Sequence, residues 1–214
     1  MRQASPCGMR KLLLALLLCA TSLAHAAVDV SGVKFEDKHK LGAAELQLNG
    51  AGQRSRLFFK VYAIGLYLSE KKTTVADVLA LTGPKRLHIV TLRELTAEQF
   101  ADALVEGIHK NHSDAETEPL KARIEDFKLA MLAVKKTAEG TVVDIDWLPE
   151  SGTRLVVDGK QQGKDIPGED FYNALLKIWL GPKPAQDDLK EALLARQDAI
   201  TRLIIERRAR HPIN

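Results

Sequence analysis

Arg54 is the residue of this sequence whose type and position most clearly suggest ligand chemistry. It follows Gly50-Ala51-Gly52-Gln53 and precedes an apolar run from Leu57 to Leu68. Glycines permit backbone conformations that other residues avoid, so we predict a sharp turn before Arg54, followed by a buried central strand. A guanidinium is always protonated and presents a planar fork of donors. We therefore expect Arg54 to be the polar anchor for a ligand held in an apolar interior.

Other polar residues have simpler interpretations. His109 and His112 lie one helical turn apart, but neither an HExxH motif nor a third ligand accompanies them, so we predict no metal site. His88, inside an apolar strand, is interpreted as a partly buried histidine with a satisfied partner. Asp144 and Asp146 alternate with apolar residues, which predicts a solvated sheet face rather than a catalytic carboxylate pair. The sequence contains no phosphate loop, nucleophile elbow or nucleotide fingerprint, and we expect no cofactor.

The N-terminus has the features of a secretory signal peptide. Basic residues precede the apolar run Leu12–Leu18, and Ala24-His25-Ala26 supplies a cleavage signal before Ala27. No later segment approaches the roughly 20 apolar residues that a transmembrane helix needs. We therefore expect residues 1–26 to be removed and the protein to be exported, to the periplasm if the source is a Gram-negative bacterium.

The remaining chain, residues 27–214, has the size of one domain and contains no cysteine, because Cys7 and Cys19 both lie in the signal. The signal carries three of the 31 Lys and Arg, so 28 remain against 28 Asp and Glu. This neutral balance argues against a nucleic-acid binder. The basic C-terminal run Arg202–Arg210 is interpreted as a charged helical tail, with contact to a membrane surface as the weaker alternative.

The elements that must position Arg54 are strands joined by hairpins. Glu45–Leu48 alternates and leads to a predicted turn at Asn49-Gly50, while Asp158-Gly159 predicts a second hairpin with a type I′ turn. The helices are grouped rather than alternating singly with strands. This order predicts an α+β fold with a large antiparallel sheet covered by helices.

Three predicted helices carry apolar stripes. Thr96–Gln99 has the form of a capping box that opens the first, and Gly181-Pro182 ends the last. The stripes contain Phe100, Leu104 and Ile108 in the first helix, Leu120, Ile124, Phe127 and Met131 in the second, and Phe171, Leu175, Ile178 and Trp179 in the third.

Tyr62 lies eight residues after Arg54. In an unbroken strand the two residues would be about 26 Å apart, too far to share a ligand. They can meet only if the chain bends between them, so their proximity is a test of a shared site.

Three segments resemble the chalcone isomerase family, in particular its bacterial chalcone-isomerase-like branch. They are NGAGQR (49–54), KVYAIGLYL (60–68) and FYNALLKIWLGPKP (171–184). With the order of elements between them, the similarity extends from about Val28 to Leu194. The resemblance implies an open-faced β-sandwich, in which a large antiparallel sheet is covered by a layer of helices with a ligand cleft between them.

In the family's enzymes, the arginine that matches Arg54 is implied to stabilise enolate charge during ring closure of a chalcone. Other parts of that polar set are replaced here. Tyr62 stands where the enzymes have a threonine, Phe100 matches a tyrosine, and an asparagine of the following helix falls near Gly107. An isomerase (intramolecular lyase) acting on an enone-like substrate through Arg54 is therefore the alternative hypothesis.

The pair of Arg54 and Tyr62 is similar to the pairing in the family's fatty-acid-binding branch, where arginine and tyrosine hold a carboxylate. A charged fork and a phenol can satisfy a carboxylate at the end of an apolar cavity. The leading hypothesis is an exported, non-catalytic binder of a fatty acid or similar amphipathic carboxylate. The predicted cleft walls are Phe58, Ile64, Phe100, Leu104, Phe127 and Met131.

Overall fold

The computed structural model describes residues 27–134 and 136–196. Its strands are β1 (Val28–Val30), β2 (Val33–Phe35), β3 (Lys38–Leu41), β4 (Ala44–Arg56), β5 (Phe59–Leu68), β6 (Lys85–Thr91), β7 (Leu95–Thr96), β8 (Lys136–Thr137), β9 (Val142–Leu148), β10 (Gly152–Val157) and β11 (Lys160–Ile166). Seven of them form one antiparallel sheet in the order β11-β10-β9-β6-β5-β4-β3. The pairs β1-β2 and β7-β8 form two small separate sheets.

The helices are α1 (Val75–Ala80), α2 (Ala97–Asn111), α3 (Asp114–Thr117), α4 (Lys121–Leu132), α5 (Glu169–Leu180) and α6 (Asp187–Leu193), with a 3₁₀ turn at Glu118–Leu120. The capping box of α2 is confirmed: the Thr96 hydroxyl accepts from Gln99 N, and Gln99 Oε1 accepts from Thr96 N. Helix α6 ends at Leu193, and the chain turns at Leu194 and Ala195. The predicted signal peptide and the basic tail lie outside the described residues.

Helices cover one face of the sheet. Ile64 and Leu66 on β5 and Ile89 on β6 point toward this layer and are fully buried. Against them pack the predicted stripes of α2, α4 and α5, whose residues Phe100, Leu104, Phe127, Met131, Leu175 and Trp179 are all buried. The α+β class and the helix-covered antiparallel sheet are therefore confirmed.

The opposite face of the sheet holds a second, smaller core. Phe35 on β2 packs with Leu46 and Leu48 on β4 and with Tyr67 on β5. The β1-β2 hairpin thus covers only part of this face, which is why the sandwich is open.

Asp144 and Asp146 lie on this second face, and the prediction that they are solvated is wrong. Both carboxylates are buried, because Arg86 donates to both Oδ atoms of Asp146 at 2.7 Å and His88 Nδ1 lies 2.6 Å from Asp144 Oδ1. Burial raises the pKa of Asp146, and the Arg86 guanidinium opposes that shift. The predicted partner for His88 is confirmed. Periodicity alone could not show that Arg86 on the neighbouring strand β6 lies within ion-pair distance of both acids.

The course of β4 also differs from the prediction. No turn occurs at Asn49-Gly50; β4 continues to Arg56, and the chain reverses at Leu57-Phe58 instead. The predicted turn at Asp158-Gly159 is confirmed, with φ of 45° and 75° at the two positions.

Candidate functional site

The β4-β5 hairpin brings Arg54 and Tyr62 together. They are directly paired across the two strands, so their side chains share one face of the sheet. The bend that this proximity requires is the reversal at Leu57-Phe58. The structure therefore brings together the two residues that a shared site would require, and their role as a site stays a prediction.

A β-bulge at Asn49 decides which face this is. Leu48 pairs with Tyr67 and Gly50 pairs with Leu66, so Asn49 is one extra residue on β4. A shift of one residue moves every following side chain to the other face. Leu48 consequently faces the second core, whereas Arg54 faces the helices.

The two glycines before Arg54 allow helix α6 to approach β4. A Cβ added at Gly50 would lie 2.1 Å from Ala192 O, and one at Gly52 would lie 2.8 Å from Leu189 Cδ1. These glycines serve close packing rather than the predicted turn. Because α6 lies against β4, its N-cap residue Gln186 reaches the candidate site.

The guanidinium of Arg54 is held by neutral groups. Arg54 Nη1 donates to Gln186 Oε1 at 3.1 Å and to the carbonyl oxygen of Ser55 at 2.5 Å. Gln186 Oε1 also accepts from Ser55 N at 2.9 Å, which fixes the amide. Across residues 27–134 and 136–196, no carboxylate forms an ion pair with Arg54. Its positive charge thus has no counter-charge from the described protein.

The Tyr62 hydroxyl is buried and accepts a hydrogen bond of 2.9 Å from Trp179 Nε1 on α5. Burial raises the pKa of Tyr62 to about 12, although the bond from Trp179 and the nearby charge of Arg54 both act to lower it. The phenol therefore keeps its proton at neutral pH. In the described part of the chain, no group accepts that proton.

Apolar side chains surround Tyr62, whereas Arg54 is half-buried and contacts polar groups. Phe100 meets Tyr62 edge-on, with ring centroids 6.1 Å apart, and the other predicted walls Ile64, Leu104, Phe127 and Met131 belong to the same buried core. Phe58 does not. It lies in the turn and is 97% exposed, so the prediction that it lines the cleft is wrong.

A small apolar cavity of about 20 Å³ lies between the sheet and the ends of α2 and α4. Phe100 contacts both this cavity and the Tyr62 ring. The volume of the cavity is about that needed for one water molecule. The cavity is lined by Ala97, Phe100, Met131, Val134, Thr137, Val143, Leu155 and Val157.

The sequence patterns did not indicate that Gln186 and Trp179 belong to the candidate site. Trp179 was identified only as part of an apolar stripe, and Gln186 lies 132 residues from Arg54 with no local motif around it.

No group of three or more His, Cys, Asp or Glu that could hold a metal occurs among the residues that the structure describes. None of the described helices is long and apolar enough to cross a membrane.

The fold and site together define a protein with a seven-stranded antiparallel sheet, one face of which is covered by helices and carries the pair of Arg54 and Tyr62. The chain belongs to the chalcone isomerase-like family, whose model matches residues 27–195. Among solved structures it is similar to a fatty-acid binding protein of Arabidopsis thaliana, at 16% identity and a TM-score of 0.60, over 77% of this chain and 93% of that one. At this identity the likeness shows the fold. No curated protein matches the chain significantly.

Proposed function

We propose that this protein is a non-catalytic binder of a fatty acid or similar amphipathic carboxylate, with its head group at Arg54 and Tyr62. The observation that carries the proposal is the pair itself. Among the described residues, Arg54 has no carboxylate partner and the buried Tyr62 phenol has no acceptor for its proton, and both side chains face the helix layer. A carboxylate would supply both the missing charge and the missing acceptor.

The apolar tail would enter between the helices and the sheet. The small cavity beside Phe100 is the natural starting point, because it is apolar and adjoins Tyr62. It is too small for an alkyl chain as it stands, so binding requires α2 and α4 to move apart there. The fatty-acid-binding activity of the Arabidopsis protein that shares this fold supports the same class of ligand.

Catalysis is the competing function. An isomerase would need further polar groups around the substrate besides Arg54. Phe100, packed against Tyr62, offers no hydroxyl at that position.

Export by removal of residues 1–26 is part of the proposal, and it would place the binder outside the cytoplasm.

The test is binding of palmitate and of the matching alcohol, hexadecanol. Trp179 contacts Tyr62, so its emission in a Trp147→Phe background reports on the head-group site. We expect wild type to prefer the acid, and Arg54→Ala to weaken acid binding about 10- to 100-fold, because a charge-assisted hydrogen bond contributes roughly 1.5–3 kcal/mol. Native mass spectrometry of the same samples shows whether lipid co-purifies and whether residues 1–26 have been removed.

Arg56→Ala is the matched control, because Arg56 is an exposed arginine two positions away on the same strand. It should leave palmitate affinity unchanged. Equal affinity of wild type and Arg54→Ala for palmitate would remove Arg54 from the anchor role. Conversion of a chalcone to a flavanone without any lipid binding would favour the enzyme instead.

A further inference from the structure

The tip of the β4-β5 hairpin is an exposed apolar surface. Leu57 is 86% exposed, Phe58 97% and Phe59 58%. These three residues are consecutive. The other exposed large hydrophobic side chains in the described ranges, Val28 and Leu129, stand singly on other elements.

This tip extends beyond the rest of the sheet. The pairing of β5 with β6 ends at Tyr62 with Thr91, next to a bond from Leu92 N to Val61 O, so residues 56–60 extend past β6 as a two-stranded hairpin. At the other end of β4, β3 pairs only with residues 44–47. The three side chains are thus held on a short ribbon away from the core.

Neither packing nor turn chemistry accounts for these residues. Leu57 has φ of 56°, a conformation in which glycine is favoured at the first position of a two-residue hairpin turn. A non-glycine residue is strained in this conformation. The sequence therefore keeps a strained and exposed leucine where a glycine would suit the fold better.

Basic residues surround the tip. Residues 54–62 contain three basic residues and no acidic one. Arg56 and Lys60 are exposed beside the turn, and the guanidinium carbon of Arg93 lies 4.9 Å from the centre of the Phe59 ring. Glu106 on α2 is paired with Lys110 at 2.7 Å, and its pKa is lowered mainly by Lys110 and to a smaller extent by the charge of Arg56.

We propose that Leu57, Phe58 and Phe59 insert into an anionic lipid bilayer, with Arg56, Lys60 and Arg93 at its headgroups. Apolar side chains on a projection bury in the acyl boundary, and flanking cations are attracted by the negative surface. Arg54 and Tyr62 lie three residues from the inserted side chains, so docking would hold the candidate carboxylate site at headgroup level. The residues proposed to insert are different from those proposed to bind the carboxylate, so the two proposals can be tested separately.

The experiment is flotation of residues 27–214, which include every described element, with vesicles of phosphatidylcholine alone or mixed with phosphatidylglycerol. We expect binding to the anionic vesicles that weakens with salt. Leu57→Gly/Phe58→Ser should reduce it about 100-fold or more, since each inserted side chain contributes roughly 1.5–3 kcal/mol. Arg56→Gln and Lys60→Gln should each reduce it about fivefold.

Three further proteins make the result specific. Leu129→Ser removes an exposed leucine from α4 and should bind like wild type. A chain ending at Arg196 separates the tip from the basic C-terminal run and should still bind. Phe58→Trp should show a blue-shifted emission on anionic vesicles that brominated lipid quenches. Leu57→Gly/Phe58→Ser should also unfold at the same or a higher urea concentration than wild type, which excludes misfolding as the cause of lost binding.

Equal vesicle binding by wild type and Leu57→Gly/Phe58→Ser would overturn the proposal, and so would absence of binding by wild type. A dimer in sedimentation that the same double substitution dissociates would reassign the tip to self-association. Palmitate affinity in vesicle-free buffer distinguishes this inference from the proposed function: Leu57→Gly/Phe58→Ser should retain it, whereas Arg54→Ala should lose it.

Discussion

At the scale of single residues, the site depends on hydrogen-bonding capacity that the protein leaves unused. Among the described residues, Tyr62 accepts from Trp179 but has no acceptor for its own proton, and Arg54 donates hydrogen bonds only to an amide and a backbone carbonyl. Buried polar groups are normally satisfied. Partial satisfaction at an apolar interface is therefore informative about what should bind there.

Tyr62→Phe tests the bond to Trp179. It removes the acceptor of a buried indole N–H, so the free energy of unfolding should fall by about 1–3 kcal/mol in urea titrations. A cycle with Trp179→Phe should give a coupling of about 0.5–3 kcal/mol. Additive effects of the two substitutions would show that the 2.9 Å contact contributes nothing measurable to stability.

At the scale of elements, the site is assembled by contacts that are distant in sequence. The positions and types of α2, α4, α5 and the β10-β11 turn follow from local periodicity and capping, and these were predicted. The side of β4 on which Arg54 lies was not, because it depends on the Asn49 bulge. That bulge is fixed by bonds from Asn49 to the backbone of Lys72 and Leu193. The position of Gln186 likewise follows from the packing of α6.

Glycine substitutions test the docking of α6 on β4. A Cβ at Gly50 meets the backbone oxygen of Ala192, which cannot move without the helix, whereas one at Gly52 meets the end of the Leu189 side chain. Gly50→Ala should therefore destabilise by more than Gly52→Ala, roughly 2–4 against 1–2 kcal/mol. It should also weaken palmitate binding by displacing Gln186. Urea unfolding and the Trp179 titration measure the two effects, and the reverse ranking would contradict this packing.

At the scale of the whole molecule, the sheet separates two chemically different faces. The helix-covered face is apolar around Tyr62. The other face carries a charged network in which Arg86, His88, Asp144 and Asp146 lie on two adjacent strands, and His39 on β3 stacks on Tyr67 with ring centroids 4.5 Å apart. The fold class was predictable because hairpin signals join the strands and the helices are grouped along the sequence. The charge pairing required knowing which strands are neighbours.

The network predicts that stability depends on pH. Burial lowers the pKa of His39 from 6.5, His88 and Arg86 lower it further, and Asp144 and Glu36 partly oppose this. The unfolded chain therefore binds a proton more readily than the folded one. The contribution of His39 is fully present above pH 6.5 and is lost as pH falls through its lower folded pKa.

The measurement is urea unfolding at a series of pH values from neutral to mildly acidic. Wild type should lose stability on acidification, and His39→Gln should lose less. His109→Gln is the control, because His109 is exposed on α2 and should leave the pH profile unchanged. Identical pH profiles for wild type and His39→Gln would exclude His39 as a source of the dependence.

The two irregularities of the β4-β5 hairpin have a consequence for how this chain tolerates insertions and deletions. Asn49 is an extra residue on β4, and Val61 is an extra residue on β5. The hairpin thus changes its pairing frame twice and returns to the original one before the turn. Deletion of either residue alone would leave the other register shift uncompensated. Either the β4 residues that pack with Phe35 or those that contact α6 would then point to the wrong face of the sheet. The register of the stretch that carries Arg54 and Tyr62 is therefore fixed by both irregularities. A deletion or insertion of one residue in β4 should be tolerated only together with a matching change in β5.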